Sequence, residues 1–430
     1  RTDQLTGETK SIRYSRVLGT AGGPLRWNWS SPILVSPHNS DVIFHGSNVL
    51  LRSSFRGETW QEISPDLTLN DSLRRNGSGN IQYATLTSID ESPVVAGVLW
   101  AGTDDGNVQV TKNGGTNWTN VKDKLPGNPG FWVSRVKASH HDAATAFVSV
   151  TGLRHDDFKP YVWKTTDYGQ TWTSIAGNLP SGSVNVIVED RKNPNLLFVG
   201  TDIGLYVTLD GGKAWTRMKN GIPTNPVHDL LIHARENELI VGTHGRGIFI
   251  ADITPLQGLT PQVMSADAYL FDIQPTVQWV NTPAPVTASL NYNGQSRPPG
   301  VAINYYLRNA VTGVTVRVYD GTRMIAETPG PGAAGIQTVR WNMQARRDLT
   351  EAERAAAAGR GGRGGRGGGG GAGGGGRGGR GGGGGGVVFP AAGGESVMST
   401  VEPGEYRVVL VIGGKEYAQK ATILADHWYK

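Results

Sequence analysis

Read for its hydrophobic and polar positions, the first 255 residues repeat one pattern five times. An apolar or alternating run comes first, over 27–35, 81–89, 131–138, 184–189 and 227–233. A denser apolar run ending in glycine follows, over 42–46, 99–102, 146–152, 196–200 and 239–242. Runs of this length bounded by Gly, Pro, Asn and Asp predict β-strands. A third strand and a sharp corner complete each of the first four units. Closers such as Leu125-Pro126, Leu179-Pro180 and Ile222-Pro223 come after the corners. The fifth unit runs through 242–250 with no corner behind it. Helix is expected only over 350–358.

The corner is legible residue by residue. Thr165-Thr166-Asp167-Tyr168-Gly169-Gln170-Thr171-Trp172 reads S/T-x-D-x-G-x-T-W. Residues 208–215 keep Thr208, Asp210, Gly212 and Trp215; residues 111–118 keep Thr111, Gly115 and Trp118 and carry Asn113 in place of the acid. Residues 53–60 keep Ser53, Gly57 and Trp60 and carry Phe55 there. The Trp residues lie at 60, 118, 172 and 215, in steps of 58, 54 and 43. That period suits one four-stranded meander per repeat, a propeller blade. The Asp or Asn side chain accepts N–H groups of its own turn. The Gly supplies a positive φ, and the Trp offers a broad apolar face between neighbouring sheets. Asn113, Trp118, Asp167, Gly169, Trp172, Asp210, Gly212 and Trp215 therefore read as a folding device. A catalytic or metal role for Asp167 or Asp210 is the alternative.

These corners resemble the Asp box, or bacterial neuraminidase repeat, of sialidases, sortilin-type receptor propellers and tandem-propeller xyloglucanases, over about residues 24–255. The near-copies at 99–106 and 197–204 belong to the same resemblance. It implies an all-β propeller and says little about activity, because sites are grafted onto folds. Five blades are fewer than the common seven, and a sheet array must bury or pair its edges. The expectation is a lead-in over 1–21, blades over 22–255, and further blades upstream. The chain would then be the C-terminal part of a larger secreted bacterial protein.

A linker is expected over 256–285, and the pattern changes after it. Alternating runs at 300–307, 314–321, 335–342 and 403–410 predict a second β-rich domain over 286–430, with an Asp320-Gly321 turn. This part resembles the Ig-like domain that ends flagellar hook-cap proteins and many secreted bacterial enzymes. The resemblance implies a β-sandwich used for spacing or attachment. An insert over 350–396 interrupts it, Ala-rich at 351–358 and almost pure Gly and Arg at 359–386. Such a tract buries too little to offset its ordering entropy and reads as a disordered loop. Its alternative is an Arg-Gly-Gly segment for nucleic acid, but the Phe or Tyr interleaving is missing.

Composition changes this picture little. The formal charge is +5, and five Arg of the insert (360, 363, 366, 377, 380) account for it. The folded parts give no charge argument for nucleic acid. With no Cys, disulfides and thiolate metal sites are excluded. No apolar run approaches the roughly 18 residues of a spanning helix. Neither a metal nor a cofactor is expected. The localisation expected is extracellular, periplasmic or cell-surface, with the signal peptide outside this chain.

Propeller ligands bind at an axial face, near the starts of the inner strands. The candidates there are Trp27, Trp29, Tyr83, Trp132, Arg135, His228 and Asp229, whose rings and polar groups suit a sugar or peptide. Packing between blades is the competing role for the rings. A glycosidase needs two carboxylates roughly 5–10 Å apart, and Asp229 is the one acid at an inner-strand start. His155-Asp156-Asp157 with His140 and His141 could hold a metal; a solvated loop is the simpler account. The function expected is a non-catalytic surface protein presenting its face to a protein, peptide or polysaccharide. The alternative is a glycoside hydrolase resembling xyloglucanases.

Overall fold

The computed structural model describes residues 1–16, 23–76, 82–219, 221–280, 298–351, 354 and 396–427. The Gly/Arg tract and most of the helix expected over 350–358 lie outside the described residues. The described residues form two compact units that divide between Gln257 and Gly258.

The first unit holds five antiparallel sheets in chain order, each a meander of neighbouring strands. They are β1–β4 (Ile33–Val35, Ile43–Gly46, Leu50–Ser53, Gln61–Glu62) and β5–β8 (Leu86–Glu91, Leu99–Thr103, Val108–Thr111, Thr119–Asn120). Next come β9–β12 (Trp132–Ala138, Ala146–Gly152, Asp157–Thr165, Thr173–Ser174) and β13–β16 (Val184–Glu189, Leu197–Thr201, Gly204–Thr208, Thr216–Arg217). The last sheet has three strands, β17–β19 (Val227–His233, Glu238–Thr243, Ile248–Asp252). These are blades of a β-propeller. The middle strands β6, β14 and β15 are buried at every position, which is why their sequences are continuously apolar rather than alternating.

The strand expected over 27–35 shortens to Ile33–Val35, and that over 81–89 begins only at Leu86. In both places polar side chains engage neighbouring loops and take the backbone out of the ladder. A five-residue helix, Ser72–Asn76, was also not expected.

The four corners share one geometry. Asp167 accepts the Thr171 N–H at 2.9 Å and the Thr165 hydroxyl at 2.8 Å. Asp210 accepts the Ala214 N–H at 3.0 Å, and Asn113 the Asn117 N–H at 3.0 Å. The hydroxyl at the first position accepts the glycine N–H in all four corners, at 2.8–3.1 Å. Where Phe55 replaces the acid, that bond from Gly57 to Ser53 remains. Hydrogen bonds to the charged carboxylates of Asp167 and Asp210 contribute about 1.5–3 kcal/mol each, and burying an indole contributes roughly 4–6 kcal/mol from its area. A corner survives loss of the acid because the bond from the glycine N–H to the first hydroxyl stays.

The last three corners pack on the residue that follows the outer strand of the blade before, and the first packs on Ile12 of the lead-in. A Cβ on Gly212 would lie 2.7 Å from the Cβ of Ile175, and one on Gly115 would lie 2.3 Å from the Ile63 carbonyl oxygen. Gly169 faces Val121 and Gly57 faces Ile12 in the same way. The indole N–H groups reinforce the joint: Trp118 donates to Ile63 O at 3.1 Å, Trp215 to Ile175 O at 2.8 Å and Trp60 to Ile12 O at 2.7 Å. Trp172 departs from this. It bonds its own Gly169 O and sets its ring edge-on to Trp100 at 5.9 Å.

Two further sets of bonds tie the inner strands. Thr87, Ser134 and Asn185 donate to the carbonyls of Val133, Val184 and Val227 in the next blade, at 2.7, 2.7 and 3.2 Å. Farther along, the Nε2 atoms of His38 and His141 meet the carbonyls of Ser92 and Asp190, each at 2.8 Å.

Among its described residues the second unit has ten strands: β20 (Ala268–Leu270), β21 (Thr276–Gln278), β22 (Val301–Leu307), β23 (Thr315–Asp320), β24 (Arg323–Pro329), β25 (Gly335–Trp341), β26 (Gln344–Asp348), β27 (Ser396–Thr400), β28 (Gly404–Ile412) and β29 (Lys415–Ala425). A sheet β20-β22-β25, a sheet β21-β29-β28-β23-β24 and the pair β26-β27 surround one apolar core. Strict alternation buries Val301, Ile303, Tyr305 and Leu307 of β22. The linker expected over 256–285 is not plain connector in its described part. It holds a helix Pro261–Ser265, capped by the Thr260 hydroxyl, and both β20 and β21. Leu270 and Ile273 bury in the second core, and that burial draws the segment into the sheets. The long β29 was not expected, because its first half, with Lys415, Glu416, Gln419 and Lys420, is mostly polar and mostly exposed.

Gly212→Ala should lower the free energy of unfolding by roughly 2–4 kcal/mol, from the left-handed backbone and the overpacking against Ile175 together. Gly211→Ala, whose Cβ would meet only Asn195 Oδ1 at 3.4 Å, should cost less than half of that. Urea unfolding of the two variants measures the difference, and equal losses would contradict the joint described.

Candidate functional site

The segment Arg26-Trp27-Asn28-Trp29 is pinned at alternate residues. Arg26 donates to Asp66 at 2.6 Å and to the Ala84 carbonyl at 3.0 Å. Buried Asn28 donates to the Thr85 hydroxyl at 2.9 Å. Anchoring positions 26 and 28 turns positions 27 and 29 the other way, as in any extended segment. Trp29 is left 78% exposed. Trp27 lies 4.6 Å from the His45 ring, with the Arg13 guanidinium 5.6 Å from its centre. The Trp27 backbone N–H donates to Gln82 Oε1 at 2.6 Å. Arg13, Tyr14, Trp27, Trp29, His45 and Gln82 line a cleft of about 650 Å³. Burial, with Arg13 nearby, lowers the pKa of His45 and favours its neutral ring.

Under Asn28 lies a buried carboxylate. Asp104 accepts the Thr85 N–H at 2.8 Å and the Thr85 hydroxyl at 2.7 Å. Burial pushes its pKa up to about 6 against the pull of these bonds, and Asp105 adds to the rise. Asp105 is raised by burial too. Both acids are almost fully buried, so the chemistry of Asp104 is that of a joint between blades rather than of an open cleft.

The remaining candidates do not share the Trp27–Trp29 cleft. Tyr83 takes a bond from Arg74 at 3.3 Å. Trp132 is covered by Arg154 at 4.2 Å, next to Phe131 stacked on His155 at 4.0 Å. Arg135 and Asp229 form an ion pair at 2.5 Å between β9 and β17, strands of two non-adjacent blades. His228 stacks on His244 at 5.2 Å, and these rings line a second cleft of about 650 Å³ with Leu153, Phe158, Ile203 and Pro226. The single aromatic face expected from the sequence is therefore divided: Trp27 and Trp29 share one cleft, His228 lines another, and Tyr83, Trp132 and the Arg135–Asp229 pair line neither. Asp229, the acid expected to serve a glycosidase, is held by Arg135 and by the Leu230 N–H.

The groups weighed as a metal site are engaged elsewhere. His155 stacks on Phe131, Asp157 accepts the Tyr161 hydroxyl at 2.7 Å, and His141 meets the Asp190 carbonyl. Burial lowers the pKa of His140 to about 3. Among the described residues no group of three His, Asp or Glu is placed to hold a metal ion. Sequence reasoning missed Arg13 and His45, because the lead-in and the second-strand run that carry them give no periodic signal that would bring them to Trp27; Gln82, by contrast, stands at the start of the inner-strand run over 81–89, as Trp27 does in the run over 27–35.

No family model matches the chain. Curated relatives include a xyloglucanase of a Paenibacillus species, 26% identical over 212 residues, which cover 43% of this chain and 20% of that protein. An oligoxyloglucan-reducing end-specific xyloglucanase of Emericella nidulans is 29% identical over 163 residues, covering 34% of this chain and 19% of that protein. The chain thus spans about a fifth of the length of the curated relatives it matches. Among solved structures, the GH74 xyloglucanase of Xanthomonas campestris superposes with a TM-score of 0.41 at 18% identity, over 64% of this chain and 42% of that one. YCF48 of Cyanidioschyzon merolae superposes at 0.34 and 15% identity, over 55% of this chain and 74% of that one. Superpositions this loose do not bear on the site. No helix among the described residues is long and apolar enough to cross a membrane.

The raised pKa of Asp104 has a sign in stability. The fold favours the protonated acid, so its contribution is complete below the unfolded pKa near 4 and is lost as pH rises through about 6. Asp104→Asn, a neutral isostere, should flatten the fall in stability between pH 4 and 7. At pH 7.5 it should gain on the order of 2 kcal/mol over the parent chain. Thermal unfolding across that pH range is the check, and a variant less stable than the parent at pH 7.5 would contradict the assignment.

Proposed function

We propose that this chain binds polysaccharide of the xyloglucan class, as the glycan-holding part of a glycoside-hydrolase-like Asp-box propeller acting outside the cell. The observation that carries the reading is the cleft of Trp27 and Trp29, with an exposed indole and hydrogen-bonding groups from Arg13, Tyr14, His45 and Gln82 around it. Sugar rings carry apolar C–H faces and equatorial hydroxyls, so a flat ring beside fixed polar groups matches them. The xyloglucanase relatives supply the polysaccharide. They also favour the hydrolase alternative over a purely non-catalytic scaffold, and a protein or peptide ligand has less in its favour. No acid–base pair is assigned within this chain: Asp229 is tied to Arg135 and Asp104 is buried. The role argued here is binding. The second unit serves as a spacer or attachment module in this reading, as its Ig-like resemblance implies.

Native gels cast with xyloglucan should retard the chain, and gels cast with starch should not. Trp29→Ala should weaken the xyloglucan interaction about fivefold, the loss of one ring contact worth about 1 kcal/mol. It should leave the unfolding temperature unchanged, since Trp29 is exposed. Equal mobility in both gels would remove this reading. Release of new reducing ends by the chain alone would move it from binder to enzyme.

A further inference from the structure

The Trp27–Trp29 cleft contains a cation that the fold holds in place and leaves unanswered. The lead-in is anchored on both sides of Arg13. Before it, the Ile12 carbonyl takes the Trp60 indole N–H at 2.7 Å. After it, Arg16 holds Glu62 with two bonds, at 2.6 and 2.7 Å, and reaches the Gly23 carbonyl at 2.9 Å. Tyr14 also donates to Glu62, at 3.3 Å. Arg13 itself makes no ion pair or hydrogen bond among the described residues, and its guanidinium rests over the Trp27 ring at 5.6 Å.

Trp27 belongs to a series of rings. The Trp60 ring lies 6.0 Å from that of His45, and His45 lies 4.6 Å from Trp27. The guanidinium is the next group in that series. Cation–π attraction restricts its rotamers before any ligand arrives, and the planar N–H fork stays unused. Trp27 is thus a platform for an arginine, and the exposed Trp29 is the ring left open for a sugar.

The other groups of the cleft agree in sign. Gln82 accepts the Trp27 backbone N–H through Oε1, which orients the amide and leaves Nε2 as its unused end, a donor. Arg16, the second cation of the lining, is neutralised by Glu62. Burial disfavours charge on His45. No Asp or Glu lines the cleft among the described residues, and residues 17–22 of the sequence contain neither. The cleft therefore offers one unanswered positive charge with a neutral donor in the same lining. Hydroxyls of a neutral sugar would use the donors and leave the charge without a counterpart. The two oxygens of a carboxylate match the arginine fork.

We propose that the glycan taken by this cleft is acidic: a uronic-acid residue places its carboxylate on the Arg13 guanidinium, with the Gln82 amide as a further donor, while the polysaccharide lies against Trp29. The inference rests on the reading of the cleft as a glycan site and adds the acidic sugar to it.

Calorimetric titration of the full chain with two ligands separates the two claims. One ligand is a galactose-bearing xyloglucan oligosaccharide. The other is the same oligosaccharide with the galactose C6 oxidised to a carboxylate. At low salt the oxidised ligand should bind about fivefold more tightly, the upper range for an exposed charge pair. The preference should vanish in about 1 M NaCl, where the Debye length is about 3 Å. Arg13→Gln should abolish the preference, and Arg13→Lys, which keeps the charge without the fork, should retain part of it. Trp29→Ala should weaken both ligands and leave their ratio as it was. Arg13 is exposed, so unchanged unfolding temperatures check that its variants fold. Equal binding of the two ligands by the parent chain would overturn the acidic-sugar inference and leave the glycan reading standing. A preference that survives in Arg13→Gln would overturn the role of Arg13. Binding of neither ligand would remove both claims. Polyglutamate bound as tightly as the oxidised oligosaccharide would also overturn the inference, because a carboxylate without a sugar would then suffice.

Discussion

Everything in the first unit depends on a missing methyl group. Flat sheets can stand side by side at blade spacing only if one backbone lets a neighbour's side chain come into contact, and the corner glycine does this. Ile12, Ile63, Val121 and Ile175 each enter such a gap at the next corner. The positive φ that glycine permits is thus needed twice, to turn the chain and to leave room for the blade before it. The acid of the corner stiffens the turn, and the Trp seals the joint. The bond from the glycine N–H to the first hydroxyl is kept in all four corners, so Asn113 and even Phe55 can stand where Asp167 and Asp210 stand.

Away from the corners, the blades are held by short polar side chains that bond carbonyls across the boundary. Thr87, Ser134 and Asn185 do this near one end of the inner strands, and His38 and His141 near the other. Each such bond adds little net stability, so these groups act mainly by fixing spacing and register. Asp104 belongs to this network. Its carboxyl is placed to order Thr85, and Thr85 in turn holds Asn28.

That chain of contacts links the fold to the candidate site. Trp27 and Trp29 project into a cleft because Arg26 and Asn28 are tied to the second blade. A rigid inter-blade network orders a segment that is not itself a strand, which presents rings at little entropic cost on binding. The ion pair of Arg135 and Asp229 spans non-adjacent blades. In this structure it keeps the acid occupied by a partner charge.

Taken alone, the sequence determined the blades. Repeated Trp corners, dense apolar runs ending in glycine and the 184–189 and 227–233 strands could be read directly, because local turn chemistry and burial on both faces leave marks on the chain. The alternation of β22 and β28 marked a second β-rich part for the same reason. Only the tertiary structure decided which polar residues meet. His155 and His141 looked like candidate ligands and turn out to be a ring stack and a tie between blades. Arg13 lies 14 residues before Trp27, in a lead-in outside the repeat, so no periodicity connects the two. The strands within 256–285 were hidden because their pairing partners lie far along the chain, such as Leu424 for Val277. Short-range steric and hydrogen-bond rules are written locally, whereas a site assembled from several blades exists only once those blades have packed.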